Sequence, residues 1–441
     1  VVLGTLALSG GHRGDPHTPT GLPGLPSPFL GVAVVGSGGR AAAVDAYGDV
    51  VDLRAPGPAG RARVAVSEKR QVAGTVSAGE AIVARVPLPG GRLPLWRADS
   101  VSQHYLPGTN VLRTVARFGD ETRVLTRRIG GPEAAAADRG WLAHAQPLGA
   151  SAPRWARAMY RRSLLVLRAL TDRRSGAVAA GARDGWAYVW PRDAAVVAIA
   201  LASAGYRSEA RRVAHFLIGL DLGAAARFRG SGAPIRGRGA QGDAAGWVAA
   251  AAEAAGLPAP RRLYAWRDRA DYQEGEAGDY LGNAIAAGAD LDSFETVSGL
   301  VRVAGDPESG LDSAAAWAVR PFPQPALYAT VRRGLLHLVA ADGTRFGLVP
   351  SQDWQGGEDP WTAPTAWAAW VLATLARHDR GRVARRDRKA ALHLLGDLRR
   401  AATPLGLLPE RVDTQTGLPT STTPLAWSHA FAILALRAAW R

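Results

Sequence analysis

The sequence predicts a mainly helical protein, a toroid of helical hairpins preceded by a smaller antiparallel β domain. Three observations predict it. Between Leu30 and Arg128, short β-branched runs are broken by Gly, Asp and Pro; after Pro153, stretches with apolar residues at helical spacing take over. Loops bearing Trp and Asp recur just ahead of helix starts, at Trp190, Gln241 to Asp243, Trp354 to Trp361 and Glu410 to Trp427, as a funnel-shaped site would require. With 441 residues and 47% hydrophobic content, the chain can bury a large core.

Residues 1–29 open with "VVLGTLALSGG", an apolar run too short to span a bilayer, and continue into a Pro-, Gly- and Thr-rich linker. This start fits a trimmed export signal or a membrane tether, and with it an extracytoplasmic setting; an ordinary disordered terminus is the alternative. Residues 30–130 form the β domain, with strands expected in "FLGVAVVGSGGRAAAVDAYGDVVDLRAP", "GEAIVARVPL", "TNVLRTVARFG" and "ETRVLTRRI". Residues 131–152 read as a linker, and 153–441 as the helical domain. Helices are expected in "RWARAMYRRSLLVLRAL", "RDAAVVAIALASAG", "RSEARRVAHFLIGL", "DAAGWVAAAAEAAG", "FETVSGLVRVAG", "QPALYATVRRGLLHLVAADG", "TAPTAWAAWVLATLARH", "RKAALHLLGDLRRAAT" and "PLAWSHAFAILALRAAW".

Composition narrows the chemistry. The net charge is +15, but Lys69 and Lys389 are the only lysines and the arginines are scattered in pairs, so the excess does not form a nucleic-acid-binding tract. The chain has no cysteine, which removes disulfides, thiolate zinc sites and thiol nucleophiles. His104, His215, His337, His378 and His429 show no ligand spacing, so no metal site is expected. In "GWAYVWPRDAAVVAIAL", Pro191 suits a first helical position and Asp193 a positive helix N-terminus. The same charged pair, Arg192 and Asp193, walled by Trp186, Tyr188 and Trp190, also suits a pocket for a flat-faced, hydroxyl-rich ligand.

Two stretches carry a family resemblance. "SLLVLRALTDRRSGAVAAGARDGWAYVWPRDAAVVAIAL" resembles the start of the catalytic domain of the glucoamylase-like glycoside hydrolases, family 15, which include glucodextranases and bacterial trehalases. "GLLPERVDTQTGLPTSTTPLAWSHAFAILAL" is similar to that family's closing motif, and "VGSGGRAAAVDAYGDVVDLRAP" resembles its opening strands. The resemblance implies an (α/α)6 barrel preceded by a β-sandwich, in agreement with the residue patterns. It also implies an inverting, exo-acting α-glucosidic hydrolase that needs no cofactor and takes an oligosaccharide or disaccharide. For Arg192 and Asp193 it implies binding of sugar hydroxyls in the innermost subsite, and for "QGDAAGWVAAAAEAAG" that Gln241, Asp243 and Trp247 line the pocket. Asp243 as a helix cap and Trp247 as core are the alternatives.

Inverting cleavage needs a general acid and a base, with carboxyls roughly 6.5–9.5 Å apart to admit water. Glu410 in "LLPERVD" matches the family's base. The acid is expected within "GLVPSQDWQGGEDPWTAPTAWAAW", where the family's Trp-Glu is replaced by Trp354–Gln355. Glu358, between Trp354 and Trp361, and Asp353, nearest the family position, are the candidates; Trp354 and Trp427 are expected against the sugar. The replaced residue leaves open a second reading, a carbohydrate-binding barrel whose activity is altered or lost.

Overall fold

The structure is a computed structural model that describes residues 33–54, 68–70, 79–81, 83–182, 184–260, 265–352, 354 and 356–441. The N-terminal tether or export segment expected in residues 1–29 lies outside the described residues. Among the described residues, no helix is long and apolar enough to cross a membrane.

The β region begins with an antiparallel sheet of β1 (Ala33–Ser37), β2 (Arg40–Val44) and β3 (Val50–Arg54). Two hairpins follow: β4 (Glu68–Arg70) with β5 (Gly79–Ala81), and β6 (Arg85–Leu88) with β7 (Gly91–Pro94). A second three-stranded sheet is ordered β10 (Glu121–Arg127), β9 (Leu112–Phe118), β8 (Ser100–Tyr105). One face of the first sheet, through Ala33, Val35, Ala42 and Val44, packs on Leu112 of β9. Its other face, through Val34, Ala41 and Ala43, joins the helical core. Burial on both faces explains why β1 and β2 read as unbroken apolar runs, whereas β10, half-solvated, alternates.

Helix α1 (Ala134–Ala143) lies inside the segment expected to be a linker. Its alanine run is a strong helix former, and buried Asp138 ties it to the β region by accepting from the Asn110 backbone N–H at 2.8 Å. Then come α2 (Arg154–Leu170), α3 (Pro191–Ser203), α4 (Arg207–Ile218), α5 (Ala244–Ala254), α6 (Leu281–Ala287), α7 (Tyr328–Ala341), α8 (Thr362–His378), α9 (Gly381–Ala401) and α10 (Ala426–Ala439).

Neighbour packing closes a ring in the order α3, α5, α6, the 3₁₀ segment Ser313–Ala318, α8, α10 and back to α3. These are the inner elements of the toroid. Helices α2, α4, α7 and α9 pack outside it. Sequence separates the two rings: α3, α8 and α10 are apolar nearly all round and buried, whereas α2, α4 and α9 keep an arginine-bearing outer face. Outside α6 the described residues place no helix. There the ring is flanked by residues 265–280 and by a hairpin of β11 (Val301–Val303) and β12 (Asp306–Leu311). The stretch "FETVSGLVRVAG" expected as a helix is therefore corrected to part of this hairpin: Gly299 (φ 153°) and Gly305 (φ 71°) break a helical run, and Val301 and Val303 suit a strand. Gly246 of α5 permits the α5–α6 seam, since a Cβ there would meet the Ala286 carbonyl oxygen at 1.9 Å.

Aromatic rings plug the centre of the inner ring. Trp247 and Trp317 meet edge to face at 5.0 Å between centroids, Trp317 and Trp367 at 5.4 Å, and Trp367 and Phe431 at 5.3 Å. Each such pair contributes about 0.5–1.5 kcal/mol beyond its burial. The toroid is thus a filled barrel with a closed floor.

Candidate active site

At the N-terminal ends of α3, α8 and α10, loops enclose a cavity of about 280 Å³. It is lined by Trp186, Trp190, Arg192, Asp193, Trp354, Trp361, Glu410 and Trp427, and also by Arg238, Tyr272, Gln273, Glu274 and Arg411. The loop end carrying Trp190, Trp354 and Glu410 is therefore one site.

Its floor is the Arg192–Asp193 pair, 3% and 5% exposed. Pro191 opens α3 and directs both side chains inward. The Arg192 guanidinium donates to Gln241 Oε1 at 2.9 Å and to Asp243 Oδ2 at 3.0 Å, lies 3.5 Å from Asp193 Oδ2, and sits over the Trp427 ring at 4.9 Å. Gln241 in turn donates to the Asp271 carbonyl at 2.9 Å. Gln241 and Asp243 thus stand behind the cavity and fix Arg192. Asp193 is the freer partner: its Oδ2 is buried without a hydrogen bond. Burial pushes its carboxyl up to about 7, against the pull of Arg192 and with added repulsion from Glu410 and Asp243. A buried acceptor left open at a cavity wall is suited to a ligand hydroxyl.

Glu410 hangs from a loop held by backbone bonds on both sides. Its N–H donates to Thr422 O at 2.9 Å, and its carbonyl accepts from Thr362 N at 3.0 Å at the start of α8. Its carboxylate accepts from Ser421 Oγ, and Trp186 Nε1 points at it from 3.5 Å. Two residues earlier, the Leu408 N–H donates to His429 Nε2 at 3.0 Å, while His429 Nδ1 meets Ser163 Oγ at 2.9 Å. Burial, reinforced by Arg162, pushes His429 down to about 3 and keeps it neutral, as its acceptor role requires.

A second carboxylate enters from the loop before α6. Glu274 accepts from Trp190 Nε1 at 2.6 Å, is ion-paired with Arg238, and has Gln241 Nε2 at 3.5 Å. It adopts a left-handed backbone, φ 58°, which a non-glycine residue takes at a cost and which clusters at functional sites. The loop is anchored beneath it: Asp271 accepts from Gln273 N and from Arg302, and Tyr272 OH donates to Asp312 at 2.7 Å. Burial also pushes Asp271 up to about 7, against Arg302.

The remaining expected site residues lie elsewhere. Trp247 is fully buried in the aromatic plug, away from the cavity. Tyr188 stands beside the site, with the Arg227 guanidinium 5.2 Å from its ring. Glu358 is exposed and does not line the cavity, because the turn at Gly357 carries it outward. Asp353 and Gln355 lie outside the described residues. Glu274, Arg238, Tyr272 and Arg411 line the cavity without being among the residues the sequence motifs point to. The available signal was "DYQEGEAGDY", one more aromatic and acidic loop ahead of an inner helix, hidden because α6 has only 7 residues.

The family model for glycosyl hydrolases family 15 matches residues 154–219, from the start of α2 through α4 and including the Arg192–Asp193 pair. No curated protein matches the chain. Among solved structures, a wild-type glycosidase aligns at 18% identity and TM-score 0.53, covering 65% of this chain and 97% of that one. A bacterial glucoamylase complexed with acarbose aligns at 17% identity and TM-score 0.55, over 69% of this chain and 58% of its own. A glucoamylase from Saccharomycopsis fibuligera aligns at 14% identity and TM-score 0.52, over 66% and 96%. At such identities the likeness is one of fold, the (α/α)6 toroid expected from the motifs. The family model thus matches the segment that carries the Arg192–Asp193 pair, and the solved structures share the (α/α)6 fold.

Proposed function

We propose that this protein is an inverting α-glycoside hydrolase that removes a terminal glucose unit from an oligosaccharide or disaccharide. The observation that carries the reading is a blind cavity with two carboxylates, Glu274 and Glu410, above a floor made by Arg192 and Asp193. A closed floor favours a chain end over a chain middle. Asp193 accepts hydroxyls of the terminal sugar, Arg192 donates to another, and Trp186, Trp190 and Trp427 cover its apolar faces.

Glu410 is the base. Ser421 and Trp186 orient its carboxylate to take a proton from water. Glu274, not Glu358, is the acid: it lines the cavity and is aimed by Trp190 Nε1, whereas Glu358 faces solvent and does not line the cavity. A solved structure of similar fold is complexed with acarbose, which supports a carbohydrate in this cavity.

The test is a panel of α-linked glucosides and disaccharides, with the first-formed product followed by proton NMR. Release of β-glucose before mutarotation is expected. Binding of sugars without any cleavage would instead favour the altered, non-hydrolytic barrel.

A further inference from the structure

An acid must hold its proton until the bond breaks, yet Glu274 is paired with the guanidinium of Arg238, which favours the ionised carboxylate. Arg411, the neighbour of the base, lines the same cavity; its guanidinium lies 5.6 Å from the Trp354 ring, with no carboxylate partner among the described residues. Arg227 stands just behind, 5.6 Å over Trp190. Once Glu274 is protonated, the lining carries Arg192, Arg238 and Arg411 against Asp193 and Glu410. Arg192 is already committed to Asp243. Asp193 lies 3.5 Å from Arg192, and the Glu410 carboxylate is held by Ser421 and Trp186, so among the described residues neither Arg238 nor Arg411 has a carboxylate other than Glu274 in ion-pair contact.

Their position says which end of the substrate is concerned. The Arg238 side chain is 44% exposed, whereas those of Arg192 and Asp193 at the floor are 3% and 7% exposed. Arg238 therefore belongs to the mouth, where the departing group sits, and half-buried Arg411 lines the same cavity. A guanidinium fork matches a carboxylate or phosphate in geometry as well as charge.

We infer that the natural substrate is an α-glycoside whose leaving group bears a carboxylate or phosphate, received by Arg238 and Arg411. The inference rests on the hydrolase reading and specifies its substrate. The anion draws Arg238 away from Glu274, and Glu274 then keeps its proton for the departing oxygen. The glycosidic C–O bond breaks as the oxygen of water joins the anomeric carbon. The proton of Glu274 goes to the leaving group and a proton of the water goes to Glu410.

The experiment compares three aryl α-glucosides matched in leaving-group pKa: uncharged, ring-carboxylated and ring-phosphorylated. A kcat/KM at least about tenfold higher for a charged substrate is expected, the size of one favourable charge contact. The ratio should fall toward one in Arg238→Gln and in Arg411→Gln, and persist in Arg320→Gln, at the opposite end of the barrel. Whichever charged arm is faster identifies the anion. Equal rates on all three would overturn the inference and leave the hydrolase reading standing. Cleavage of none would overturn both.

Discussion

The two loops that bring Glu410 and Glu274 to the cavity are built differently. The Glu410 loop is fastened on every side, to Thr422, to Thr362 and through Leu408 to His429, and it runs into α10, a buried helix of 14 residues. The Glu274 loop has a left-handed residue at its tip, borders a stretch of the ring with no described outer helix, and runs into the short α6. Glu410 is thus fastened through the backbone of its loop. Glu274 is held through its carboxylate, by Trp190 on one side and Arg238 on the other. Inverting hydrolysis suits this asymmetry, since the base must hold a water in line whereas the acid must gain and lose a proton against a leaving group that moves away.

The largest expected effect comes from the Glu410 side. Glu410→Gln keeps sugar binding, because Arg192 and Asp193 are untouched, and lowers kcat by roughly 10²–10⁴-fold, the usual worth of a positioned base. Steady-state kinetics beside calorimetric binding of a glucose analogue checks both halves. His429→Ala should reduce stability to urea by about 1–3 kcal/mol, since it strands the buried Leu408 N–H. It should lower kcat more than it raises KM; an unchanged kcat would mean that the Glu410 loop does not depend on this anchor.

A third expectation concerns the floor between the loops. The Asp193 carboxyl holds its proton up to about 7 in the folded protein but loses it near its ordinary value of 3.8 when unfolded. Between those values the folded state binds more protons. Its contribution to stability is therefore full below pH 4 and is lost as pH rises toward 7. His429 acts in the opposite sense, binding a proton only in the unfolded state between about 3 and 6.5, so the total slope mixes both groups. Comparing the protein with Asp193→Asn isolates the first: the stability difference should move in favour of the variant as pH is raised from 4 to 7. A difference independent of pH would contradict the assignment. The smallest effect is expected at Glu358→Gln, where kcat/KM should stay within about twofold, as for surface changes away from a site.

How much of this was legible in the sequence follows the same asymmetry. Arg192 and Asp193 sit in the first turn of α3 and Glu410 precedes α10, both long apolar helices whose period stands out, so the loops ahead of these helices read as the site's rim. The inner and outer helices were visible for the same reason, through burial all round against one arginine-rich face. Glu274 precedes a helix of two turns, too short to show a period, so its loop carries no such signal. The aromatic loop ahead of α8 carries the stronger signal, and there Trp354 and Trp361 do reach the cavity but Glu358 does not. Trp247 failed for another reason: its spacing is the same for a helix face turned to a pocket and one turned to the barrel axis, and only packing against Trp317 and Phe431 distinguishes them. The segment taken for a linker hid α1, whose reason to fold is the tertiary contact of Asp138 with Asn110 and Arg168.

The central claim is that Glu274 is the acid and Glu410 the base, and leaving-group dependence tests it most directly. For Glu274→Gln, kcat/KM should be measured on a series of α-glucosides running from activated aryl leaving groups to sugar alcohols. The account predicts near-normal rates on the most acidic leaving groups and losses growing to roughly 10²-fold or more on the least acidic, because only the latter need a proton. A uniform loss across the series, or the same graded loss in Glu358→Gln instead, would contradict it.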